Sequence, residues 1–323
     1  EDIVDFWLAK GIDGFRLDAA KEYYSGTVDA NIDFLSWFNS MVKEKKEDAY
    51  IVAEVWTDMD TYAQYYGSGI DSVFDFDFAD SSGIIASVVK GSKPASGFGK
   101  ALQTLDEKFS GYNPDYIDAP FYTNHDLGRS AGYYSGKDSE RQTKIAGAMN
   151  LMMNGCCFLY YGEELGMKGA GRDENKRAPM YWSKDSQKEG MCDGPIDMEM
   201  VKMKYDSLEE QREDKWSIYN YYKEAIRLRN VYPEIARGKV SYIEGASDDN
   251  ICVIKKVYES SEVLLVMNVS KDERKADLSG VTVNGKEIDG ADSLEGLLLT
   301  GTEQIKMNGE EVTLPPYAVA LFH

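Results

Sequence analysis

Histidine is scarce in this chain of 323 residues, with only His125 and the C-terminal His323. A Ser-His-Asp triad would depend on His125 alone, and no Gly-x-Ser-x-Gly turn is present to carry its serine. The four cysteines form no Cys-x-x-Cys pair, which argues against a zinc site. Cys156 and Cys157 lie in an apolar run, so we expect them to be buried thiols.

Basic residues are outnumbered by acids, since 36 Lys and Arg stand against 56 Asp and Glu and the formal net charge is -20. Proteins that follow a phosphate backbone need clustered Lys and Arg, so no nucleic-acid partner is expected. No run of about 18 apolar residues occurs, and no membrane-spanning helix is predicted. The composition, 43% hydrophobic and 28% charged, is typical of a globular protein.

Up to about residue 230, short apolar strand candidates alternate with amphipathic helix candidates. Such alternation predicts a parallel sheet with crossover helices. A closed (β/α)8 barrel needs eight strands, and we count about five. The doubly wound alternative would need a glycine-rich first turn, and no Gly-x-Gly-x-x-Gly is present. The strand candidates lie at 11–19, 50–56, 71–78, 115–126 and 156–164, and the last, CCFLYYGEE, is expected to be buried on both faces.

From about residue 238 the helix candidates stop, and short strand candidates follow one another to the end of the chain. Asn284-Gly285 and Asn308-Gly309 are strong signals for two-residue hairpin turns. We therefore predict two domains, a first at 1–237 and an antiparallel β-sandwich at 238–323. No cluster of catalytic residue types falls in the second domain, which favours a structural role for it.

Three strand candidates of the first domain end in an acid, namely Asp18, Glu54 and Asp126. A parallel barrel places the carboxyl ends of its strands at one rim, where acids distant in sequence converge. Retaining glycosidases need two such carboxyl groups, one as nucleophile and one as proton donor. The three acids together therefore predict a glycosidase site, although any one of them alone is equally well explained as a cap.

The segments around these acids, GFRLDAAK, AEVW and FYTNHD, closely resemble three short motifs of the α-amylase family of glycoside hydrolases. The resemblance implies the C-terminal part of a (β/α)8 TIM barrel, about strands four to eight, followed by the sandwich domain. It also implies that Asp18 is the nucleophile and that Glu54 is the general acid and then the base. Asp126 would be the third acid, which holds hydroxyls of the reacting sugar.

Other residues match substrate-binding positions by the same resemblance. Arg16 points to the same side of its strand as Asp18, where its cation would keep the nucleophile ionised. Core packing is the alternative for Trp56, and a salt bridge that shapes the loop is the alternative for the pair Asp173 and Arg177. The full set of expected substrate-binding residues is Arg16, Lys21, Glu22, Trp56, Asn124, His125, Asp173 and Arg177.

Glu22 departs from the family pattern, because α-amylases often have histidine there, and the departure leaves the leaving-group subsites open. In many relatives the main-chain carbonyl of this residue binds calcium. A carbonyl ligand tolerates any side chain, so calcium is a candidate cofactor whose other ligands would lie mostly outside this sequence. No organic cofactor is expected.

The resemblance implies a retaining hydrolase that cleaves α-1,4-glucosidic bonds in starch or maltooligosaccharides through a covalent glycosyl-enzyme. An α-glucosidase, a cyclomaltodextrinase or neopullulanase, and a glucanotransferase are the alternatives within the family. The segment RAPMYW resembles the corresponding segment of family members that are intermediate between oligo-1,6-glucosidases and neopullulanases. A non-catalytic glycan-binding protein on a degenerate barrel is the alternative from a different class.

The motif at Asp18 belongs halfway round the barrel in this family, so about three strands are expected before residue 1. The expected partners are thus an α-glucan or maltooligosaccharide substrate and the N-terminal part of the same enzyme. An extracellular or cell-surface location is the expectation, with a cytoplasmic one as the alternative.

Overall fold

A computed structural model describes residues 1–323. The chain divides into two compact units, of which the first comprises Glu1–Asp77 and Thr104–Pro120 and the second comprises Phe78–Gln103 and Phe121–His323. The predicted domain boundary after residue 237 is a different division of the chain, and it stays a prediction.

A four-stranded parallel sheet forms the centre of the first unit, with the order β1-β2-β3-β4. The strand order follows the sequence without a reversal, which is the arrangement of a barrel and differs from that of a doubly wound sheet. Four of the predicted strands are confirmed, although each is shorter than its apolar run. They are β1 (Gly14–Leu17), β2 (Tyr50–Ala53), β3 (Ser72–Asp75) and β4 (Ala119–Pro120).

Three α-helices accompany the first strands of this sheet, namely α1 (Asp2–Leu8), α2 (Val28–Lys45) and α3 (Met59–Tyr62). Helix α2 connects β1 to β2, and it buries Leu35, Met41 and Val42 on one face, as the 3.6-residue period predicts. Asp58 caps α3 by accepting a hydrogen bond from the amide of Thr61 at 3.0 Å.

Strand β3 carries an acid into the core. The alternation of apolar and acidic residues in 71–78 predicts a strand with one polar face, but Asp75 is fully buried. Its Oδ1 accepts a hydrogen bond from the hydroxyl of Tyr62 at 2.6 Å. Burial raises the pKa of Asp75 above its usual range, because the charged form loses its hydration. The expectation of a polar face is therefore wrong at this position.

Seven further α-helices follow β3 in the chain. The segment SIYNYYKEAIRLRNVYPEI predicts one helix with Pro233 near its end, but Pro233 occupies the first position of a new helix, where its missing N–H breaks no hydrogen bond. No helix of the chain has both the length and the apolarity to cross a bilayer. The later helices are α4 (Ile84–Val89), α5 (Ser96–Tyr112), α6 (Ser139–Leu151), α7 (Asp173–Lys176), α8 (Leu208–Glu213), α9 (Ile218–Val231) and α10 (Pro233–Arg237).

The segment 156–164 is not the buried strand that its apolarity predicted. Its only strand-like contact is a single parallel bridge between Phe121 and Phe158. Without a neighbouring strand along most of its length, the segment keeps Leu159 and Tyr161 partly exposed. The expectation of buried thiols also fails here, since Cys156 is exposed and Cys157 is only partly buried.

Ten strands, all in antiparallel pairs, follow α10. A five-stranded sheet has the order β11-β14-β7-β6-β5, a three-stranded sheet has the order β12-β13-β8, and β9 pairs with β10. Their bounds are β5 (Lys239–Tyr242), β6 (Ile251–Tyr258), β7 (Ser261–Asn268), β8 (Arg274–Asp277), β9 (Thr282–Val283), β10 (Lys286–Glu287), β11 (Leu294–Leu298), β12 (Lys306–Asn308), β13 (Glu311–Leu314) and β14 (Val319–Phe322).

One apolar core is shared by these sheets, with Val253 and Val266 from the larger sheet and Ala276 and Val312 from the smaller one. The turn at Asn284-Gly285 is confirmed, since both residues have positive φ between paired strands. In the second hairpin Asn308 still pairs with Glu311, so the two-residue turn is shifted by one position to 309–310.

The carboxyl end of α6 is held by an arginine from α9. The guanidinium of Arg229 donates hydrogen bonds to the carbonyls of Leu151, Met153 and Gly155 at 2.5–2.6 Å. Carbonyls at this end have no partner inside the helix and carry the negative end of its dipole. A cation from a neighbouring helix therefore satisfies them and fixes α9 against α6.

A buried lysine of β6 completes the same helix end. The side chain of Lys256 is fully buried, and its Nζ donates to the carbonyls of Met152 at 2.7 Å and Ile235 at 2.6 Å. A third hydrogen bond runs to Oδ1 of Asn154 at 2.5 Å. One ammonium group thus joins the end of α6, the helix α10 and the five-stranded sheet.

The second unit also buries an acid, Glu163, which is 2% exposed. One carboxylate oxygen accepts a hydrogen bond from the hydroxyl of Thr123, and the other has no hydrogen-bond partner. Burial raises the pKa of Glu163 to about 8, because the lost hydration outweighs the opposing effects of the Thr123 hydrogen bond and the Arg129 cation. The carboxyl group is therefore mostly protonated at neutral pH.

We expect Lys256→Met to lower the free energy of unfolding by at least about 2 kcal/mol, because methionine keeps the aliphatic length but leaves three buried oxygens without a donor. Denaturant titration of the complete protein measures the change. Lys275→Ala is the control, since Lys275 forms only an exposed pair with Glu311 and should change stability by less than about 1 kcal/mol. Equal effects of the two variants would contradict the role of Lys256.

Glu163→Gln should remove a pH-dependent part of the stability. A raised pKa means that the folded protein keeps a proton that the unfolded chain releases, so stability falls as pH rises from about 5 to about 8. Glutamine cannot titrate, and the variant should lose this decline. Unfolding midpoints between these pH values measure it, with exposed Glu213→Gln as the control. An unchanged decline in Glu163→Gln would refute the assignment.

Candidate active site

Asp18 and Glu54 follow the ends of two adjacent parallel strands. Leu17 of β1 is paired with Ala53 of β2, so the next residue on each strand is an acid at the same edge of the sheet. The guanidinium of Arg16 bridges them, with Nη1 donating to Oδ1 of Asp18 and Nη2 to Oε2 of Glu54. The structure thus brings these three predicted residues together in the first unit.

The backbone after β1 turns sharply to keep this geometry. Ala19 has a φ of 43°, a left-handed conformation that is uncommon outside glycine. The turn lets the amide of Ala20 donate to the carbonyl of Glu54 at 2.8 Å, while the amide of Glu54 donates to Leu17 at 2.9 Å. Hydrogen bonds on both sides of each acid therefore fix the two strand ends to each other.

The two acids differ in their access to solvent. The side chain of Asp18 is 81% exposed, whereas that of Glu54 is 12% exposed. Tyr23, which the sequence analysis did not identify, lies close enough to Asp18 for the charge of the carboxylate to affect its pKa. Burial, and then the negative charge of Asp18, raise the pKa of Tyr23, while the Arg16 cation opposes the shift. A tyrosine five positions after Asp18 carries no signal in the sequence that would have identified it.

Lys21 and Glu22 lie in a short 3₁₀ helix, Ala20–Glu22, directly after this turn. Their side chains approach each other at 3.7 Å, and both are about half exposed. The carbonyl of Lys21 is occupied by the side-chain amide of Asn31 at 2.7 Å, which anchors the 3₁₀ helix to α2. Both predicted residues therefore lie beside the strand end that carries Asp18.

Trp56 keeps an open aromatic face near the end of β2. It is 44% exposed, and its ring stacks on that of Phe76 with a centroid distance of 5.1 Å and an interplanar angle of 12°. Core packing was the alternative for this residue, and the exposure shows that it is only partly packed. An aromatic ring that stacks on a second ring and remains partly exposed is suited to contact a sugar.

The second unit contains the other predicted acid, in the turn of residues 124–127. Oδ1 of Asn124 accepts hydrogen bonds from the amides of Asp126 at 2.8 Å and Leu127 at 3.0 Å, which makes the turn rigid. Nε2 of His125 lies 3.2 Å from Oδ2 of Asp126. The structure therefore brings these neighbours of the motif into one polar group.

Two cations at the carboxyl end of helix α7 contact the polar group around Asp126. Nη2 of Arg177 donates to Oδ1 of Asp126 at 2.9 Å, and Nε donates to the carbonyl of His125 at 3.3 Å. Arg177 also lies 3.9 Å from Asp173, so the salt bridge that was the alternative for this pair is present but long. The role of Arg177 is larger than that pair, since it holds both residues of the motif.

Lys176 is a residue of this group that the sequence analysis missed. Its Nζ donates to the main-chain carbonyl of Asp126 at 2.8 Å and to Oδ1 of Asp173 at 2.9 Å. This hydrogen bond and the positive charge of Lys176 lower the pKa of Asp173. The only available signal was its position within GRDENKR, between two residues that were selected.

No group of three or more His, Cys, Asp or Glu residues is arranged to hold a metal ion. Calcium at the main-chain carbonyl of Glu22 stays a prediction.

Comparison with known proteins gives a consistent family assignment. The family model described as the catalytic domain of alpha amylase matches residues 1–238. Alpha-amylase 3 of Dictyoglomus thermophilum is 34% identical over 271 residues, which are 84% of this chain and 52% of that protein. Neopullulanase 2 of Thermoactinomyces vulgaris is 27% identical over 322 residues, which are 98% of this chain and 46% of that protein. The chain thus spans about half the length of these curated relatives.

Two solved structures extend the likeness to the fold. Eubacterium rectale Amy13B superposes with a TM-score of 0.94 at 44% identity, over 99% of this chain and 62% of that one. The alpha-amylase from H. orenii gives a TM-score of 0.80 at 27% identity, with the same coverage of both chains. The fold is therefore that of alpha-amylases, part of a TIM-barrel-like arrangement with antiparallel sheets at the C-terminus. Since the family match covers most of the chain, this protein belongs to the alpha-amylase family, in its catalytic domain.

Proposed function

We propose that the complete protein is a retaining glycosidase that cleaves α-1,4-glucosidic bonds in starch or maltooligosaccharides. One observation carries the proposal: two acids at adjacent parallel strand ends share a single guanidinium. Double displacement requires two carboxyl groups held a fixed distance apart across the scissile bond. The shared Arg16 provides that constraint.

Asp18 is proposed as the nucleophile. Its carboxylate is open to solvent and therefore to a sugar, and the hydrogen bond from Arg16 is made to Oδ1. Attack on the anomeric carbon forms the glycosyl–enzyme bond, while the glycosidic bond breaks and its oxygen takes a proton. Water then attacks the same carbon and releases Asp18.

Glu54 is proposed as the acid that gives the proton and as the base that later activates water. Its side chain is mostly enclosed, which limits competing exchange with bulk water. Asp126, held by Arg177 and His125, is proposed to bind hydroxyls of the reacting sugar. Such bonds favour the distorted, oxocarbenium-like sugar ring of the transition state. Lys21, Glu22, Trp56, Asn124 and Asp173 are proposed as further contacts to the glucan.

The architecture proposed with this function is a barrel portion, about strands four to eight, with a β-sandwich over residues 238–323. The sequential parallel order of β1 to β4 supports the barrel, and the core shared by two antiparallel sheets supports the sandwich. Strand β1 has a neighbour on one side only, so the N-terminal part of the complete protein is proposed to pair with it.

A cyclomaltodextrinase or neopullulanase is the second candidate. A neopullulanase and a cyclomaltodextrinase align with 98% and 99% of the chain, including the antiparallel sheets, although at lower identity than Alpha-amylase 3. All of these activities share the covalent intermediate and differ in the accepted linkage and substrate. The three acids do not distinguish between these activities, so the pattern of reaction products must be used to distinguish them.

We expect Glu54→Gln in the complete protein to lower kcat on maltooligosaccharides by at least about 100-fold, since glutamine fits the site but cannot transfer a proton. Steady-state kinetics with a starch-derived substrate measure the loss. Exposed Glu47→Gln on the same unit is the control and should retain full activity. Undiminished turnover by Glu54→Gln would remove Glu54 from the mechanism.

Product analysis decides between the candidates. An α-amylase-type enzyme should release a range of maltooligosaccharides from starch faster than it cleaves cyclodextrins or pullulan. Chromatography of digests of starch, maltooligosaccharides, cyclodextrins, pullulan and isomaltose by the complete protein provides the measurement. Preferential cleavage of pullulan, or transfer products in place of hydrolysis, would favour the second candidate or a glucanotransferase.

A further inference from the structure

The loop that carries Asp126 is tied at both of its ends to one neighbouring segment, residues 160–169. At its start, the hydroxyl of Thr123 donates to Oε1 of Glu163. At its end, the amide of Arg129 donates to the carbonyl of Gly169 at 2.9 Å. Hydrogen bonds on both sides of the turn at 124–127 therefore fix it to the segment 160–169. The contacts of Thr123 and Arg129 are called its two anchors.

The anchor at Arg129 is a buried cation. Its guanidinium lies 4.7 Å and 4.6 Å from the ring centroids of Tyr160 and Tyr161, and Nη1 donates to the carbonyl of Tyr161 at 2.5 Å. Nε and Nη2 have no hydrogen-bond partner. Packing of a large planar group against two rings fixes the end of the loop with little freedom.

The anchor at Thr123 differs because it depends on a buried carboxyl group. Thr123 is 1% exposed and Glu163 is 2% exposed, whereas His125 and Arg177, the side-chain partners of Asp126, are nearly half exposed. Exposed ion pairs contribute little to fixing a position, while a buried hydrogen bond has no water to replace it. The Thr123–Glu163 contact is thus the more rigid of the two kinds of constraint on this loop.

The surroundings of Glu163 keep it uncharged. The groups that act on it are Glu164 on the same segment, Arg129 on the loop, Tyr133 after the 3₁₀ helix Ser130–Gly132, and Tyr222 on α9. Of these, only Arg129 is a cation, and it makes no hydrogen bond to Glu163. A neutral carboxyl group that accepts the hydroxyl hydrogen of Thr123 is compatible with this environment, whereas a carboxylate would have no hydrogen-bonded counter-ion and would be repelled by Glu164.

We propose that Glu163 is a positioning residue, which holds Thr123 and through it fixes the turn that presents Asp126 to the sugar. The proposal rests on the function proposed above, in which Asp126 binds the reacting sugar. Glu163 touches neither the acids nor a substrate position, so it acts only through the loop. The contact joins residues 40 positions apart in sequence.

The test uses Thr123→Val, which keeps the shape of the side chain and removes the hydroxyl. Because bonds from the third acid to the sugar strengthen in the transition state, kcat should fall about 10- to 100-fold. KM should change less than about threefold. Thr123→Ser restores a hydroxyl and should recover most of kcat. A kcat of Thr123→Val within twofold of wild type, or no recovery in Thr123→Ser, would overturn the proposal.

A matched control separates positioning from packing. Thr143 in the same unit is equally buried, and its hydroxyl donates to the carbonyl of Ser139 at 2.8 Å within α6. Thr143→Val should leave kcat and KM unchanged. Glu163→Gln retains an acceptor oxygen for Thr123 and should keep kcat near wild type, whereas Glu163→Ala should behave like Thr123→Val. Equal losses in Thr143→Val and Thr123→Val would show a general packing effect and overturn the proposal.

A second readout does not depend on activity. Hydrogen exchange of the amides of Asp126 and Leu127, which are bonded to Asn124, should be at least tenfold faster in Thr123→Val than in wild type. If the wild-type complete protein hydrolyses no glucan, the proposed function fails, and the exchange rates alone still decide the positioning role. Unchanged exchange rates would overturn that role, whether or not the enzyme is active.

Discussion

The carboxyl end of α6 is the point on which the second unit depends. A helix end leaves carbonyls without partners, and burying them without donors would be costly. Here Arg229 from helix α9 and Lys256 from strand β6 bring two cations to that end. Both residues lie far from α6 in the sequence. The need to satisfy these oxygens explains why a lysine occupies a fully buried position in β6. The hydrogen bonds of Lys256 also link helices of this unit to its five-stranded antiparallel sheet, in addition to apolar contacts.

Acids in this protein fall into two physical classes. Those at strand ends or in turns, such as Asp18 and Asp126, are partly or largely exposed and lie beside arginines. Asp75 and Glu163 are buried, accept one hydroxyl hydrogen bond each, and have raised pKa values because their loss of hydration outweighs the interactions that favour the charged form. The first class can carry charge to a ligand, while the second class orders neighbouring groups. A formal count of charges therefore overstates how many acids are ionised in the folded protein.

Local chemistry made part of this structure predictable. Arg16 and Asp18 are two residues apart on a strand, so their shared side followed from the period of the strand. The Asn284-Gly285 turn followed from its demand for positive φ. CCFLYYGEE was misjudged because apolarity alone cannot show whether a second strand lies beside it. Asp75 was misjudged because its burial depends on Tyr62, and the contact of Thr123 with Glu163 was missed because it exists only after folding.

The motif around Asp126 shows why a short sequence signal and the geometry it needs are different things. Asn124 forms the turn by bonding amides two and three residues ahead, and any chain with such a segment can make that turn. The turn alone does not determine where Asp126 points within the molecule. That direction depends on the anchors at Thr123 and Arg129, whose partners come from a different part of the sequence. Residues in the motif supply the chemistry, while residues outside it set the position, and a substitution at Glu163 can therefore affect a function to which its side chain makes no direct contact.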